Sequence, residues 1–287
     1  MKTEAGIRHV KTIQTHGQFL IHDDVVSVEE PLEIVLRYFQ NEQIQHKTLS
    51  ISMRTPGHEK ELIYGYLFNE GVLNKPAEEI SQLEYRFDCN AEQSEQQTIV
   101  VHLKKGVIPN IESSNRHSFS NSSCGVCGKT SIDLMLDQCI YLLKKGYPKM
   151  SIQNIYKLPE KLFNVQASFR KTGGIHCCAL FDTNANLLHW AEDVGRHNAM
   201  DKLCGKQMLD NGIPLQDHII LLSGRASFEL VYKASMIGCP LLVSIGAPSS
   251  LAIDTAESFG MTLLGFVKSN SANIYTHPER ILEFKSL

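Results

Sequence analysis

The stretch Ile219-Ile220-Leu221-Leu222-Ser223-Gly224-Arg225 decides how the second half of the chain is built. Four consecutive apolar residues ending in small and polar ones fit a short strand buried on both faces. The pattern returns twice. Leu241-Leu242-Val243-Ser244-Ile245 runs into Gly246-Ala247-Pro248, and Thr262-Leu263-Leu264-Gly265-Phe266-Val267 runs into Lys268-Ser269-Asn270. Residues 226–237 and 249–259, between these runs, read as helices. Strand–helix–strand–helix–strand predicts parallel strands with right-handed crossovers, hence an α/β fold. In open α/β sheets ligands bind beyond the carboxyl ends of the strands. Any one of these three loops is an ordinary turn. Together, with Arg225 on one and Lys268 on another, they predict a crevice for an anionic ligand.

Toward the N-terminus the chain reads as mixed α and β. Pro31-Leu32-Glu33-Ile34-Val35-Leu36-Arg37 alternates like a half-buried strand, and Thr98-Ile99-Val100-Val101-His102-Leu103 reads as another. Arg54-Thr55-Pro56-Gly57-His58 has turn chemistry. It leads into residues 59–68, which read as an amphipathic helix with acids in its first turn. Gly173-Gly174-Ile175-His176-Cys177-Cys178-Ala179-Leu180-Phe181 reads as a strand whose adjacent cysteines point to opposite faces. Residues 112–123 are rich in serine, which predicts a flexible loop. The expected organisation is a smaller mixed α/β domain over 1–111, that loop, and an α/β domain over 124–287.

The whole chain bounds the function classes. With 287 residues, 43% hydrophobic and 21% charged, it has the makings of a globular core. A net charge of −3 argues against a nucleic-acid binder. No apolar run is long enough for a membrane span, and Met1–Arg8 lacks the apolar core of a secretory signal. A cytoplasmic location is expected, so the eight cysteines should be thiols.

Two of them stand apart, in Ser122-Ser123-Cys124-Gly125-Val126-Cys127-Gly128-Lys129. Glycines flank both and a polar stretch precedes them, which argues against burial. Downstream, Ile132, Met135, Leu136, Cys139, Ile140 and Leu143 share one helical face, which places the pair near a helix N-terminus. A zinc site needs four ligands, and there is no second Cys-x-x-Cys. A Walker loop needs glycine where Ser123 stands. Thiolate chemistry remains, favoured by the helix N-terminus and by Lys129. Disulfide exchange and persulfide carriage both stay open on these residues alone.

A second polar cluster runs from Trp190 to Lys202. Asp193 is expected to cap a helix starting near Arg196, with His197 and Asp201 on one face. Such runs are usually solvated helix starts. Here the acid-acid-x-Gly-Arg-His sequence also offers proton-transfer and anion-binding groups at one turn.

Six blocks carry a resemblance: Arg54-Thr55-Pro56-Gly57-His58-Glu59, Ser123-Cys124-Gly125-Val126-Cys127-Gly128, Gly173-Gly174-Ile175-His176, residues 192–199, residues 223–229, and Ala247-Pro248-Ser249-Ser250-Leu251-Ala252. In this order they resemble the FdhD family of formate dehydrogenase accessory sulfurtransferases. The resemblance implies a carrier that accepts persulfide sulfur from a cysteine desulfurase. It would pass the sulfur to the molybdenum of bis-molybdopterin guanine dinucleotide, as formate dehydrogenase activity requires. It assigns the persulfide chemistry to Cys124 and Cys127. It assigns cofactor binding to Phe266, Val267, Lys268, Ser269, Asn270 and Ser271. With the strand-end loop and the second cluster, the expected binding set adds Ser223, Gly224, Arg225, Arg196 and His197. It also implies a cytidine-deaminase-like α/β domain and a homodimer. A cofactor chaperone that only binds and delivers the molybdopterin is the alternative. Cys177 and Cys178 depart from the small residues of many relatives and are expected to be packing.

Overall fold

A computed structural model describes residues 6–15, 17, 19–87, 97–111 and 141–285. Among them, twelve strands form three sheets, accompanied by seven α-helices. Strands β1 (Ile7–Thr15) and β2 (Phe19–Ser27) make an antiparallel hairpin of their own. Then come β3 (Glu30–Gln40), β4 (Gln43–Arg54), helix α1 (Glu59–Asn69), the short α2 (Pro76–Glu79), β5 (Ile80–Phe87) and β6 (Gln97–Leu103). They form a four-stranded sheet in the order β4-β3-β6-β5. Its only parallel pair is β3–β6, since the other neighbours are antiparallel. The alternation in β3 is the one the sequence shows: Leu32, Ile34, Leu36 and Tyr38 are buried while their neighbours are half-exposed.

After α3 (Ile152–Val165) and α4 (Ala167–Thr172) the second sheet begins with β7 (His176–Asp182) and β8 (Leu187–Asp193). It continues through α5 (Arg196–Leu209), β9 (His218–Leu222), α6 (Phe228–Met236), β10 (Leu241–Ser244), α7 (Ser250–Ser258), β11 (Thr262–Gly265) and β12 (Asn273–Thr276). The order is β12-β11-β10-β9-β7-β8. The parallel core β9-β10-β11 is the one expected from the apolar runs, with α6 and α7 as its crossovers. Both faces of these strands are covered. Ile220, Leu222, Leu242 and Leu263 join the core that includes α5 and α6 residues, and Ile219, Leu221, Leu241, Val243 and Leu264 join the core under α3. Cys178 and Cys177 divide between the same two cores, as adjacent strand residues must.

Three readings need correction. Gly173 does not start a strand: at φ 66 it closes α4, and β7 begins at His176. Helix α6 starts at Phe228, because Ala226 is held in a parallel bridge with Pro248. Helix α1 is not amphipathic, since Leu62, Ile63, Tyr64, Gly65, Leu67 and Phe68 are all buried. The reason is that α1 is sandwiched. Leu62, Ile63 and Leu67 pack on the first sheet, while Phe68 joins the core of the second. Two glycines allow this crossing. Gly65 lies against the Asp201 backbone, and Gly205 lies against the backbones of Glu61 and Gly65. The contact joins the two sheets. No helix among the described residues is long and apolar enough to cross a membrane.

Candidate functional site: an anion crevice at the strand ends

The exits of β9, β10 and β11 lie side by side. Gly246 N–H donates to the Gly224 carbonyl at 3.0 Å, and Phe266 N–H donates to the Gly246 carbonyl at 3.1 Å. The approach is close enough to require glycine. A Cβ on Gly246 would lie 2.9 Å from Arg225 N, and one on Gly265 would lie 2.8 Å from Pro248 Cδ. Beyond β11 the backbone turns outward at Phe266, where φ is 53, leaving the ring 45% exposed. Lys268, Ser269, Asn270 and Ser271 follow as an exposed turn closed by Lys268 N–H to the Ser271 carbonyl, 2.8 Å. Val267 is different. It is buried in the core beneath the sheet, so its side chain is structural.

Because β7 runs antiparallel to β9, its first residue lands at the exit of β9. A Cβ on Gly224 would sit 3.2 Å from His176 Nδ1. Ser223 Oγ accepts a 2.8 Å bond from Cys177 N–H, so this hydroxyl ties β7 to β9. Strand β8 pairs His176 with Asp193 and delivers Arg196 and His197 to the same place. Electrostatics report the convergence. Burial pushes the His176 imidazole below its ordinary value, and the charges of Arg196 and Arg225 push it further while Asp193 opposes them. Burial and the Lys233 ammonium push His197 down to about 4, against the pull of Glu229. His197 is therefore neutral at pH 7. The unfolded imidazole, near 6.5, binds a proton that the folded one refuses until about pH 4. Stability contributed by this residue is thus full above about pH 6.5 and falls as pH drops toward about 4, by on the order of 3 kcal/mol. An NMR titration of the His197 ring should show a midpoint at least one unit below that of a free histidine; an ordinary midpoint would refute this.

The cluster from Glu192 to Asn198 divides by role. Glu192 accepts from the first-turn amides of α4, Ser168 N at 3.3 Å and Phe169 N at 3.1 Å. Asp193 is not the cap of α5, which begins after Gly195. Its carboxylate accepts from Gly195 N (2.9 Å), Asn198 Nδ2 (3.1 Å) and Thr55 N (3.1 Å), and pairs with Lys202 Nζ at 2.7 Å. Each Asp193 oxygen has two partners, so this acid is not free for proton transfer. Asn198 spans back to the first sheet through Met53 O and Ser52 Oγ. That leaves Arg196 and His197 to face a ligand.

Those groups suit an anion. Among the described residues, Arg196 Nε and Ser227 Oγ are buried without hydrogen-bond partners. Among the described residues, neither Arg225 nor Lys268 has a carboxylate partner. Phosphate groups would fit such a donor set. Cys124 and Cys127, the stretch 112–123 and the helical face through Ile140 lie outside the described residues. The roles of Thr55 and Lys202 in holding Asp193, and of Asn69, Glu70 and Lys233 around Asp201, were not legible in the sequence. A signal existed for Lys233: it interrupts an apolar helical stretch, and a lysine there needs a buried acid.

The comparisons with known proteins agree with one another. The FdhD/NarQ family matches residues 27–282. A protein named sulfur carrier protein FdhD from Picrophilus torridus is 42% identical over 90% of this chain and 92% of its own length. One of the same name from Sulfolobus acidocaldarius is 42% identical over 96% of this chain and 98% of its own. A solved structure of a formate dehydrogenase accessory protein from Desulfotalea psychrophila shares the fold, with a TM-score of 0.69 at 24% identity over 96% of this chain and 100% of that one. By family match and by identity along nearly its full length, this chain belongs to the FdhD/NarQ family.

Proposed function

We propose that this chain is a sulfur carrier in the maturation of formate dehydrogenase. The reading rests on one observation above the rest: the cations Arg196, at the start of α5, and Arg225 and Lys268, on strand-end loops, have no carboxylate partner among the described residues and stand around one set of strand exits, in a chain that also carries Cys124-x-x-Cys127. The Cys124 thiolate attacks the outer sulfur of a cysteine desulfurase persulfide, and the desulfurase leaves as a thiolate. The sulfur then sits on Cys124 as a persulfide. The acceptor is the molybdenum of bis-molybdopterin guanine dinucleotide. Arg196, Arg225, Lys268 and the Ser269–Ser271 turn hold its phosphates, and Phe266 offers an exposed ring to its base. Attack of the Cys127 thiolate on Cys124 Sγ releases the outer sulfur as sulfide to the metal. It leaves a Cys124–Cys127 disulfide, which a thiol reductant must reopen.

The covalent length of the chain permits this reach. The chain returns to the described fold at Tyr141, packed 3.2 Å from the position a Gly238 Cβ would take. Gly238 precedes β10, so this is the end of the sheet away from the crevice. Arg280 holds the same segment through the carbonyls of Lys144 and Tyr147 and through Thr262 Oγ1. Cys127 stands fourteen residues before Tyr141, a covalent limit on the order of 45 Å. The parallel strands, four or five residues each, span only about 15 Å. A homodimer is part of the same reading.

Mass spectrometry after incubation with a desulfurase and cysteine tests the assignment. One added sulfur is expected on wild type and none on Cys124→Ala. An adduct that survives Cys124→Ala and vanishes on Cys127→Ala would reverse the roles. Fully active formate dehydrogenase from cells carrying Cys124→Ala would favour the cofactor chaperone instead.

A further inference from the structure

We propose that Thr55, which precedes α1 on the far side of the sheet junction, is a positioning residue for the anion crevice. Two of its polar atoms bind the turn that carries Arg196 and His197, and the third binds the lysine that holds that turn's carboxylate. Its N–H donates to Asp193 Oδ2 at 3.1 Å, its Oγ1 accepts from Val194 N–H at 3.1 Å, and its carbonyl accepts from Lys202 Nζ at 2.9 Å. Lys202 in turn grips Asp193 at 2.7 Å, with both side chains almost fully buried. Thr55 is itself 6% exposed, so water does not substitute for these bonds. Its own position is set from behind. Arg54, 2% exposed, bonds Gln97 Oε1 at 2.6 Å and Glu30 at 3.2 Å and lies 3.5 Å from Glu59.

The consequence for the site follows from what Asp193 does. The same carboxylate binds Gly195 N, the residue before α5, and lies opposite His176 in the ladder. The Thr55 main chain thus holds Asp193, its Oγ1 holds the Val194 amide, and together they fix the 193–195 turn that aims Arg196. The Arg54–Glu59 block thereby acts on the crevice without contributing a ligand group to it. This inference rests on the reading of the crevice as an anion site.

The experiment compares wild type, Thr55→Val and Thr55→Ser. Valine keeps the shape and removes Oγ1; serine keeps Oγ1. Guanosine diphosphate is the probe, measured by calorimetry, beside the melting temperature and an NMR titration of His176. Thr55→Val should weaken the probe about tenfold, the loss of one buried hydrogen bond. Thr55→Ser should stay within about twofold of wild type. The His176 midpoint should shift in Thr55→Val and not in Thr55→Ser, because the Val194 amide loses its acceptor and the 193–195 turn no longer holds Asp193 and Arg196 in place beside His176. Wild-type affinity in Thr55→Val, with only the melting temperature changed, would overturn the positioning role. So would equal weakening by serine and valine. If wild type itself fails to bind the probe, the anion-site reading falls, and the His176 titration alone then decides the role of Thr55.

Discussion

Lys233→Met should destabilise the fold by about 3–5 kcal/mol, read as a fall in the urea midpoint at unchanged slope. Lys233 Nζ bonds both oxygens of Asp201, at 2.8 and 2.7 Å, and stands 3.4 Å from Glu70. Asn69 adds a 2.6 Å bond to the same carboxylate. Lys233, Asp201 and Asn69 are all at most 5% exposed. Burial works against the ammonium charge, but Asp201 and Glu70 outweigh it and hold the group above the ordinary lysine value. Methionine replaces the stem and removes the charge. Buried Asp201 and half-buried Glu70 would then stand together without their shared cation, which costs far more than the pair itself contributes. Adding Asp201→Leu and Glu70→Gln should recover most of the loss. A second readout comes from the crevice: without the Lys233 charge, His197 should titrate higher than in wild type. A stability change under about 1 kcal/mol would mean that water reaches the cluster.

Gly205→Ala should cost about 3 kcal/mol. The new carbon would overlap the Glu61 carbonyl oxygen and lie 2.7 Å from its carbon and 2.8 Å from Gly65 N. These are backbone atoms of α1, so no rotamer change relieves the clash. The helices must separate, and Phe68 and the packing around it would loosen with them. Gly174→Ala is the control, because its nearest neighbour, Ser27 Oγ, would lie at 3.7 Å, an ordinary contact. Melting curves of the two variants decide the matter. Equal losses would show that the crossing is not tight.

The structure also shows which kinds of information the sequence carries. The strands β3, β6, β7, β9, β10 and β11 were legible because their burial repeats every second residue or is continuous. The hairpin β1–β2 escaped notice for the opposite reason. Its faces are mostly exposed, with Phe19 and Ile21 at 83% and 79%, so no buried face leaves a pattern. Helix α1 was found but misjudged, because burial on two sides erases the polar face that defines amphipathicity. Within the candidate site, Arg196, His197, Arg225 and the 266–271 segment were read from residue type and strand-end placement. The capping role expected of Asp193 fails because two of its four partners, Thr55 and Lys202, lie 138 and nine positions away, where no local pattern shows them.

By itself, then, the sequence determined the local and periodic features of this protein: strand identity, the parallel β-α-β-α-β run, the placement of cations at strand exits, and the paired cysteines. Those follow from forces acting within a few residues or along one face. Only the tertiary structure decided which polar side chains are free to meet a ligand and which are already satisfied. A buried hydrogen bond or ion pair depends on distance in space, and the groups it joins here come from α1, α5, α6 and the turn at Thr55.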